Sequence, residues 1–271
     1  MAETQYFGII AGSGSYPFYL AKAARRAGET HIAAAAFENE TDPALAKEVD
    51  CMAWMRVGQL GKLIQFFKTQ PVQRAVMAGQ IAPKNLFDLR PDFTALILLA
   101  KLRQRNAESI FGAIADELQK NGVELLPATT YLESFLAADG LIAGPKPGQR
   151  QLQDIDYGFQ VAKEISRLDI GQTVIVKHGT VLAVEAFEGS NQAIIRGGQL
   201  GKKDAIMIKV SKPSQDMRFD VPVIGQQTIE VASAAKLGAI AIEAGKCLIL
   251  QREQVHSLAR QHRISIFGKT V

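Results

Sequence analysis

The sequence predicts an α/β fold in two domains: a doubly wound, Rossmann-like N-terminal domain and a second α/β domain at the C-terminus. With 271 residues, 47% of them hydrophobic, the chain can bury one large core or two ordinary ones. Short apolar runs alternate with amphipathic stretches in the first half, which indicates a parallel sheet with helices. A Gly- and Pro-rich segment without periodicity then interrupts the pattern. We therefore place the first domain at 1–135, a linker at 136–150 and the second domain at 151–271.

The elements of the first domain follow from the period of their apolar residues. Strands are predicted where short apolar runs occur, at 6–10, 31–37, 74–78 and 123–126. Helices are predicted where the pattern is amphipathic, at 15–27, 60–69, 92–105 and 109–120.

The second domain has a different order of elements. Two β-rich runs, 173–177 and 181–187, are joined by His178 and Gly179 and predict a hairpin. The other predicted elements are helices over 154–168, near Gln192, over 228–237 and over 253–261, and strands over 205–210, 239–242, 246–250 and 264–267.

Composition narrows the classes of partner. The net charge is +4 and no Lys/Arg cluster is interleaved with aromatics, so we expect no nucleic-acid partner. Mild basicity suits an acidic small molecule or an anionic membrane surface. Cys51 and Cys247 lie far apart in apolar surroundings, which favours reduced, buried thiols in a cytosolic protein.

The start of the chain shows no secretion signal. It lacks a basic flank and a long apolar region, and its apolar run is better used as a strand. The most apolar later stretch, 93–102, is about half the length that spans a bilayer. We therefore expect a cytoplasmic protein whose membrane association, if any, is peripheral.

The first candidate site is the glycine loop Gly12-Ser13-Gly14, between the first strand and the first helix. Glycines let a ligand approach the backbone closely, and amides at a helix start can hold a phosphate or carboxylate. The spacing departs from GxGxxG because Pro17 occupies the last glycine position. The loop predicts contact with an anion or substrate, and a plain tight turn with Ser15 as N-cap is the alternative.

A second candidate loop follows the strand at 74–78 and contains Gly79, Gln80 and Lys84. Ligands in open α/β sheets gather at the carboxyl ends of strands, so this loop and the glycine loop are expected to face one crevice. Gln80 would hydrogen-bond a ligand there and Lys84 would meet its negative charge. A solvated connection is the alternative.

The third candidate is the segment Glu185-Ala186-Phe187-Glu188-Gly189-Ser190-Asn191, in which a predicted strand containing Glu185 runs into a polar turn that begins at Glu188. A carboxylate at a strand end, here Glu188, can bind a metal or a sugar hydroxyl, and Gly189 permits a sharp turn. Ser190 and Asn191 either contact a ligand or cap the helix that follows.

The fourth candidate is a segment in which two aspartates lie between two prolines. Pro213 and Pro222 lack an amide hydrogen and bias the residues before them away from helix, so Asp216 and Asp220 are expected on looped backbone. The aspartates can coordinate a hard cation such as magnesium, or one of them can position or deprotonate a water.

Two cations accompany these aspartates in the segment 212–225. Lys212 and Arg218 would neutralise charge on phosphoryl oxygens, or would form surface ion pairs of little energetic value. An ordinary polar loop at a strand end is the alternative for the whole segment.

Other familiar chemistries are absent from the sequence. The four histidines match no metal-ligand spacing, and neither a GxSxG elbow nor a Walker loop occurs. Hydrolase or transferase chemistry would therefore need carboxylates, with or without a divalent ion.

Two long stretches carry a resemblance to a known family. They are RLDIGQTVIVKHGTVLAVEAFEGSNQAIIR at 167–196 and KPSQDMRFDVPVIGQQTI at 212–229. They resemble the second domain of the bacterial UDP-2,3-diacylglucosamine pyrophosphatases of lipid A biosynthesis, the two-domain family unrelated to the calcineurin-like metallophosphoesterases. The similarity continues through the glycine loop and the Gly79-Gln80 loop, so it covers nearly the whole chain.

The resemblance implies hydrolysis of the pyrophosphate bond of UDP-2,3-diacylglucosamine to UMP and 2,3-diacylglucosamine 1-phosphate, with a divalent cation such as Mg²⁺. The aspartate of the family's RFDxPxIG motif, Asp220 here, is tied to catalysis. Asp216 and Glu188 are its candidate partners at a shared cation. The resemblance also implies a homodimer, and the amphiphilic substrate suggests peripheral contact with the cytoplasmic face of the inner membrane.

The chain departs from the family pattern at two places. The family's usual EGTD turn reads EGSN here, so Ser190 keeps a hydroxyl while Asn191 has lost a carboxylate. Acidic residues are expected where Arg105 and Asn106 stand. These departures support an alternative, a noncatalytic protein that binds a nucleotide sugar or lipid phosphate. A third hypothesis, a nicotinamide-dependent oxidoreductase, rests on the glycine loop alone.

The predicted helix from Asp92 is strongly apolar. Core or dimer packing is the ordinary use of such a helix, and a cleft for the two acyl chains of the substrate is the alternative. Its apolar residues are Phe93, Leu96, Ile97, Leu98, Leu99 and Leu102.

Overall fold

The computed structural model describes residues 5–81, 91–103, 107–213 and 215–271. The chain forms two compact units. The first unit comprises Met1–Leu132 and Asp216–Asp220, and the second comprises Glu133–Gln215 and Val221–Val271. A short segment from the second half of the sequence therefore belongs to the first unit.

The first unit is built on a parallel sheet, as the alternating pattern predicts. The strands are β1 (Tyr6–Ala11), β2 (Ile32–Phe37), β3 (Cys51–Met55), β4 (Val72–Ala78) and β5 (Glu124–Leu125), in the spatial order β3-β2-β1-β4-β5. The helices are α1 (Tyr16–Arg26), α2 (Leu60–Thr69), α3 (Phe93–Lys101) and α4 (Ala107–Lys120).

Central strands of this sheet are buried along almost their whole length. β2 has the sequence IAAAAF, with its first five residues fully buried, as expected for a parallel strand covered on both faces. Phe67 of α2 and Leu118 of α4 are also fully buried and belong to the same apolar cluster. Phe219, from the segment that joins this unit, lies in that cluster at 4% exposure.

The second unit is built on a mixed sheet. Its strands are β6 (Gly140–Ala143), β7 (Thr173–Lys177), β8 (Thr180–Val184), β9 (Ile206–Lys209), β11 (Ala239–Glu243) and β13 (Ser265–Lys269), in the order β6-β13-β11-β9-β7-β8. β10 (Val223–Ile224) and β12 (Leu248–Ile249) form a separate parallel pair. The helices are α5 (Gln149–Arg167), α6 (Ser190–Gly201), α7 (Gln226–Ala234) and α8 (Arg252–Gln261).

Strand direction brings the carboxyl ends of four strands to one edge of this mixed sheet. β9, β11 and β13 run parallel. β7 runs antiparallel to both β9 and β8, so β8 points the same way as β9. The segments that follow β8, β9 and β11 therefore leave from the same edge.

The predicted α/β class is confirmed for both units, and most predicted elements occur with shifted ends. β3, β6 and β10 were not predicted. β6 lies inside the segment interpreted as a linker, where it pairs antiparallel with β13. α5 begins at Gln149 rather than 154, and the strand predicted over 181–187 ends at Val184.

The predicted hairpin is confirmed, and its turn has a clear physical cause. His178 and Gly179 adopt φ values of 50° and 71°, the positive values that a two-residue type I′ turn requires. Their two amides donate to the buried carboxylate of Asp154 at 2.8 and 2.7 Å.

Both cysteines are free thiols, as predicted; Cys247 is buried as expected, whereas Cys51 is only partly buried. Burial raises the pKa of the Cys247 thiol to about 12, which keeps it protonated near neutral pH. Within the described ranges, none of the helices combines the length and apolar character needed to cross a membrane.

Candidate functional site

In the first unit, the two predicted loops meet at the carboxyl ends of the adjacent strands β1 and β4. The Ser13 amide donates to the Gln80 carbonyl at 2.8 Å, and the Gln80 amide donates to the Ser13 carbonyl at 3.3 Å. The Ser13 hydroxyl also donates to the Gln80 carbonyl, at 2.7 Å. The structure thus brings the two loops together, as their place at strand ends predicts.

Glycines make this close approach possible. A Cβ at Gly12 would lie 2.7 Å from the Gln80 carbonyl oxygen, and a Cβ at Gly79 would lie 2.6 Å from the Ser13 carbonyl oxygen. Gly14 has φ +86° and a Cβ there would meet nothing within 4 Å. The loop is therefore tight on one side and open at Gly14, where a ligand can approach the backbone.

In the second unit, the predicted turn 188–191 and the start of segment 212–225 lie at the edge shared by the carboxyl ends of β8 and β9. Ligands of α/β sheets bind at such edges. Three buried charged residues also lie there: Glu185 after β8, Lys209 ending β9 and Glu243 ending β11. Lys209 and Glu243 were not predicted as site residues, and Glu185 was included in the third candidate segment without an assigned role.

The Ser190 hydroxyl lies at the centre of a buried hydrogen-bond network. It donates to Glu185 Oε1 at 2.8 Å and accepts from Lys209 Nζ at 2.7 Å. Thr173 Oγ1 lies 3.1 Å from the same hydroxyl and 3.2 Å from Lys209 Nζ. The N-cap of α6 is Gly189, without a side-chain capping bond, so capping does not explain Ser190.

The other polar residues of this turn are partly or fully exposed. Glu188 accepts from Arg196 Nη2 at 2.6 Å and from the Ala186 amide at 3.2 Å. Hydrogen bonds from its own backbone amide and from Arg196 hold the pKa of the Glu188 carboxyl below its usual value. Asn191 is partly exposed in the first turn of α6.

Glu243 holds the point at which segment 212–225 leaves the sheet. Its Oε2 accepts from the Ser211 amide at 2.7 Å and from the Ser211 hydroxyl at 2.9 Å. Lys163 Nζ donates to both carboxylate oxygens, at 2.8 and 2.7 Å, and to the Ser211 carbonyl at 3.0 Å. Ser211 immediately precedes Lys212, so this buried ion pair fixes the base of the segment.

Both cations of the segment are paired with carboxylates. Lys212 forms an ion pair with Asp169. Arg218 binds both oxygens of Asp216, with Nε at 3.0 and 3.1 Å and Nη2 at 2.6 Å. The hydrogen bonds from Arg218 hold the pKa of the Asp216 carboxyl below its usual value.

Asp220 is exposed at the end of the five residues that join the first unit. Its φ is 57°, in the left-handed region. The preceding residue, Phe219, is buried, with its ring centroid 5.5 Å from that of Phe111. The Met217 carbonyl accepts from the Ala128 amide at 2.6 Å. These contacts hold the looped backbone that the prolines predict.

The proposed metal ligands do not form a visible carboxylate cluster. In the described part of the chain, no group of three or more His, Cys, Asp or Glu side chains is arranged to hold a metal. Asp216 and Glu188 are each hydrogen-bonded to an arginine, so neither presents a vacant carboxylate. Lys84, named above as a candidate contact, and Arg105 and Asn106, where the chain departs from the family pattern, lie outside the described residues.

A sequence signal existed for two of the buried charges that were missed. Lys209 and Glu243 end the apolar runs AIMIK and AIAIE, and a charge closing such a run indicates a polar site at a strand end. Their hydrogen-bond partners come from other elements, distant in sequence, so the networks themselves required the fold.

These observations define a two-unit α/β protein whose candidate binding groups lie on loops at the carboxyl edges of its two main sheets. The candidate site has three kinds of feature. Each unit has a polar loop at a strand end, lysine–carboxylate hydrogen-bond networks lie at the edge of the second sheet, and one aspartate is exposed. The chain belongs to the LpxI family: the LpxI N-terminal domain matches residues 6–135 and the LpxI C-terminal domain matches residues 138–267.

One relative is similar over nearly the full chain. The UDP-2,3-diacylglucosamine pyrophosphatase LpxI of Caulobacter vibrioides is 30% identical over 272 residues, with 96% of each chain covered. The family resemblance stated from the sequence is therefore confirmed.

Solved structures with detectable likeness are remote. The biotin carboxylase domain of Hydrogenobacter thermophilus 2-oxoglutarate carboxylase is 12% identical, with a TM-score of 0.28, covering 65% of this chain and 35% of that one. The biotin carboxylase subunit of pyruvate carboxylase is 12% identical, with a TM-score of 0.27, covering 68% and 38%. The chain thus spans little more than a third of either, and these likenesses support no argument.

Proposed function

We propose that this protein hydrolyses the pyrophosphate bond of UDP-2,3-diacylglucosamine and releases UMP and 2,3-diacylglucosamine 1-phosphate in lipid A biosynthesis. One observation carries the proposal: both domains of a single family match in order, over 6–135 and 138–267, and the full-length relative is named for this activity. The protein is accordingly a hydrolase acting on a phosphorus anhydride.

Asp220 is the proposed catalytic residue. Water must add to one phosphorus while the bridging P–O bond breaks, and a carboxylate can orient that water or accept its proton. Asp220 is exposed, and its place in the RFDxPxIG motif supports the assignment.

Lys212 and Arg218 are the proposed cations that neutralise phosphoryl charge. The ion pair with Asp216 engages Nε and Nη2 of the Arg218 guanidinium. The third nitrogen, Nη1 of Arg218, takes no part in that pair. Lys212 would exchange Asp169 for a phosphate oxygen, since an ammonium can serve either anion.

The remaining proposed substrate contacts are the loop Gly12–Gly14, Gln80 and Asn191. Backbone close to Gly14 can approach a diphosphate without steric conflict. Gln80 is exposed and Asn191 is partly exposed, and their amide groups suit hydrogen bonds to a base or sugar.

A divalent cation, Mg²⁺ by preference, is part of the proposal, with Asp220 as its ligand. When bound, such a cation would neutralise charge on the phosphate oxygens and lower the pKa of a coordinated water. Asp216 and Glu188 would join it only after releasing their arginine partners.

We further propose a cytoplasmic homodimer with peripheral membrane contact. α3 exposes Phe93, Leu96 and Ile97, at 78%, 52% and 42%, which are suitable for a second copy or for lipid chains. The net charge of +4 suits an anionic membrane surface.

The test is UMP release from purified protein with UDP-2,3-diacylglucosamine, with and without Mg²⁺. Wild-type protein should release UMP, and Asp220→Ala should not. Substrate binding without release by the wild type would instead support the noncatalytic alternative, which the loss of a carboxylate at Asn191 favours. Unchanged release by Asp220→Ala would refute the role of Asp220.

A further inference from the structure

We propose that Lys209 and Glu185 are positioning residues that hold the turn 185–191 through the Ser190 hydroxyl, so that Ser190 acts through this turn and does not bind substrate. The inference rests on the proposed function for its catalytic consequence. Its structural part can be tested independently of activity.

The Ser190 hydroxyl has all of its hydrogen-bonding positions occupied by protein groups. A serine hydroxyl donates one hydrogen bond and accepts at most two. In this structure it donates to Glu185, accepts from Lys209 and faces Thr173 Oγ1 at 3.1 Å. These three partners use the donor and both acceptor positions, and no position remains for a ligand.

The network also contains two buried side chains of opposite charge. Lys209 is 6% exposed and Glu185 is 9% exposed, and buried charges are costly unless they are paired or hydrogen-bonded. Ser190 links them, since it receives a hydrogen bond from the ammonium and gives one to the carboxylate. Among the described residues, Glu185 Oε2 has no hydrogen-bond partner, so the carboxylate depends on this link.

The network connects the end of one strand with the start of a helix. Lys209 ends β9, Ser190 begins α6, and the Glu185 amide donates to the Thr173 carbonyl at 2.8 Å. The network therefore ties both ends of the turn 185–191 to the middle of the sheet. The first residue of α6 is thus anchored to the sheet through its own side chain, in addition to the Arg196 hydrogen bonds to Glu188 and the Val184 carbonyl at the exposed side of the turn.

The consequence concerns Asn191, the proposed substrate contact next to Ser190. If the network is broken, the first turn of α6 loses its support and Asn191 loses its fixed position. Lys209→Met removes the ammonium and keeps a long side chain, while Ser190→Ala removes the hydroxyl. Ser190→Thr keeps the hydroxyl and serves as the conservative rescue.

The first measurement is amide hydrogen exchange of the full-length protein. We expect Lys209→Met and Ser190→Ala to accelerate exchange in peptides covering 185–195, with strands β11 and β13 unchanged. Lys177→Met is the matched control, because Lys177 ends β7 and donates to the Gly201 and Lys203 carbonyls, away from this edge. Unchanged exchange over 185–195 in both test variants would overturn the proposal.

The second measurement is steady-state UMP release. We expect kcat/KM to fall about 10- to 100-fold in Lys209→Met and in Ser190→Ala, with no further loss in the double variant, because both break the same network. Ser190→Thr should stay within about threefold of wild type. Additive losses in the double variant would show that Ser190 binds substrate itself. If Lys209→Met does not fold, Lys209→Arg and Ser190→Ala form the second cycle.

The two proposals fail separately. A wild type that releases no UMP refutes the proposed function, while the exchange experiment still decides the role of the network. An active wild type with normal exchange and normal kcat/KM in the variants refutes only the positioning role.

Discussion

Asp220 has a backbone conformation that most side chains avoid. Its φ of 57° lies in the left-handed region, which is populated mainly by Gly, Asn and Asp. Strain of this kind costs on the order of 1 kcal/mol and clusters at functional sites. Nine other described non-glycine residues also have a positive φ, so the conformation alone does not mark Asp220 as functional; the motif does.

Substitution of Asp220 should separate stability from activity. Asp220→Gly relieves the left-handed strain, so the free energy of unfolding should be unchanged or rise by up to about 1 kcal/mol. Asp220→Ala should lower it by roughly 1 kcal/mol. Neither variant should release UMP, because the carboxylate is gone. Urea unfolding and product assays test this, and a glycine variant less stable than the alanine variant would contradict the strain argument.

At Gly12, a side chain is excluded by the lack of space around the Cβ position and not by the backbone φ angle. The Cβ of Gly12→Ala would lie 2.7 Å from the Gln80 carbonyl oxygen and 2.8 Å from its amide nitrogen, so the two loops must separate. We expect a loss of about 1–3 kcal/mol in unfolding free energy and a raised KM. The control is Gly112→Ala in α4, where a Cβ meets nothing within 4 Å and helix propensity should add up to about 1 kcal/mol. Wild-type stability in Gly12→Ala would refute the close approach.

At the scale of elements, the turn that contains Asp216 and Arg218 is held by charge. The Arg218 amide and guanidinium both donate to Asp216, which lowers the pKa of that carboxyl. A lowered folded-state pKa contributes stability above the unfolded pKa, and this contribution is lost as pH falls through the folded value.

The pH dependence of unfolding should therefore carry the signature of Asp216. Wild-type stability should decline as the pH falls below about 5, where the carboxyl of an unfolded chain begins to protonate. In Asp216→Asn that part of the decline should disappear. Denaturant titrations between acidic and neutral pH measure the difference, and identical pH profiles would show that the pair contributes nothing.

The buried pair between α5 and β11 should matter far more than an exposed pair on the same helix. Glu243 is 5% exposed and holds Lys163 and Ser211, so Glu243→Ala leaves the largely buried ammonium of Lys163 without its carboxylate. We expect a loss of about 3–5 kcal/mol. Glu164→Ala breaks the exposed pair with Arg167 and should cost less than about 0.5 kcal/mol. Comparable losses in thermal or urea unfolding would contradict the role of burial.

At the scale of the whole molecule, the two compact units do not correspond to two continuous halves of the sequence. Residues 216–220 come from the second half of the sequence and belong to the first unit. Phe219 lies in the apolar cluster of that unit beside Phe111, at 4% exposure. The catalytic candidate Asp220 is therefore held by the packing of its neighbour into a core formed by the first half.

Removing the Phe219 ring should destabilise the first unit from a position late in the sequence. Phe219→Ala should lower the free energy of unfolding by about 3–5 kcal/mol through the cavity it leaves. Hydrogen exchange should accelerate in β1 and β4 before it does in β11 and β13. Leu200→Ala, at a 63% exposed position, is the control and should change stability by less than about 0.5 kcal/mol. Faster exchange confined to β11 and β13 would contradict this packing.

Local pattern predicted much of the fold because apolar period is a local property. The hairpin at His178-Gly179 and helix α2 occur where the pattern places them. β3 and β10 were missed because CMAWM lacks β-branched residues and β10 has only two residues. The short β6 was missed because glycines and prolines flank it, and its pairing with β13 at the far end of the chain is not visible locally.

The sequence by itself determined the α/β class and the family, and it marked Asp220 as the catalytic candidate, because these follow from local period and from motifs read along the chain. Only the tertiary structure decided that Ser190 joins Lys209 and Glu185, that Glu243 holds Ser211, and that Phe219 packs with the first unit. The physical reason is that burial and hydrogen-bond satisfaction depend on contacts between residues distant in sequence.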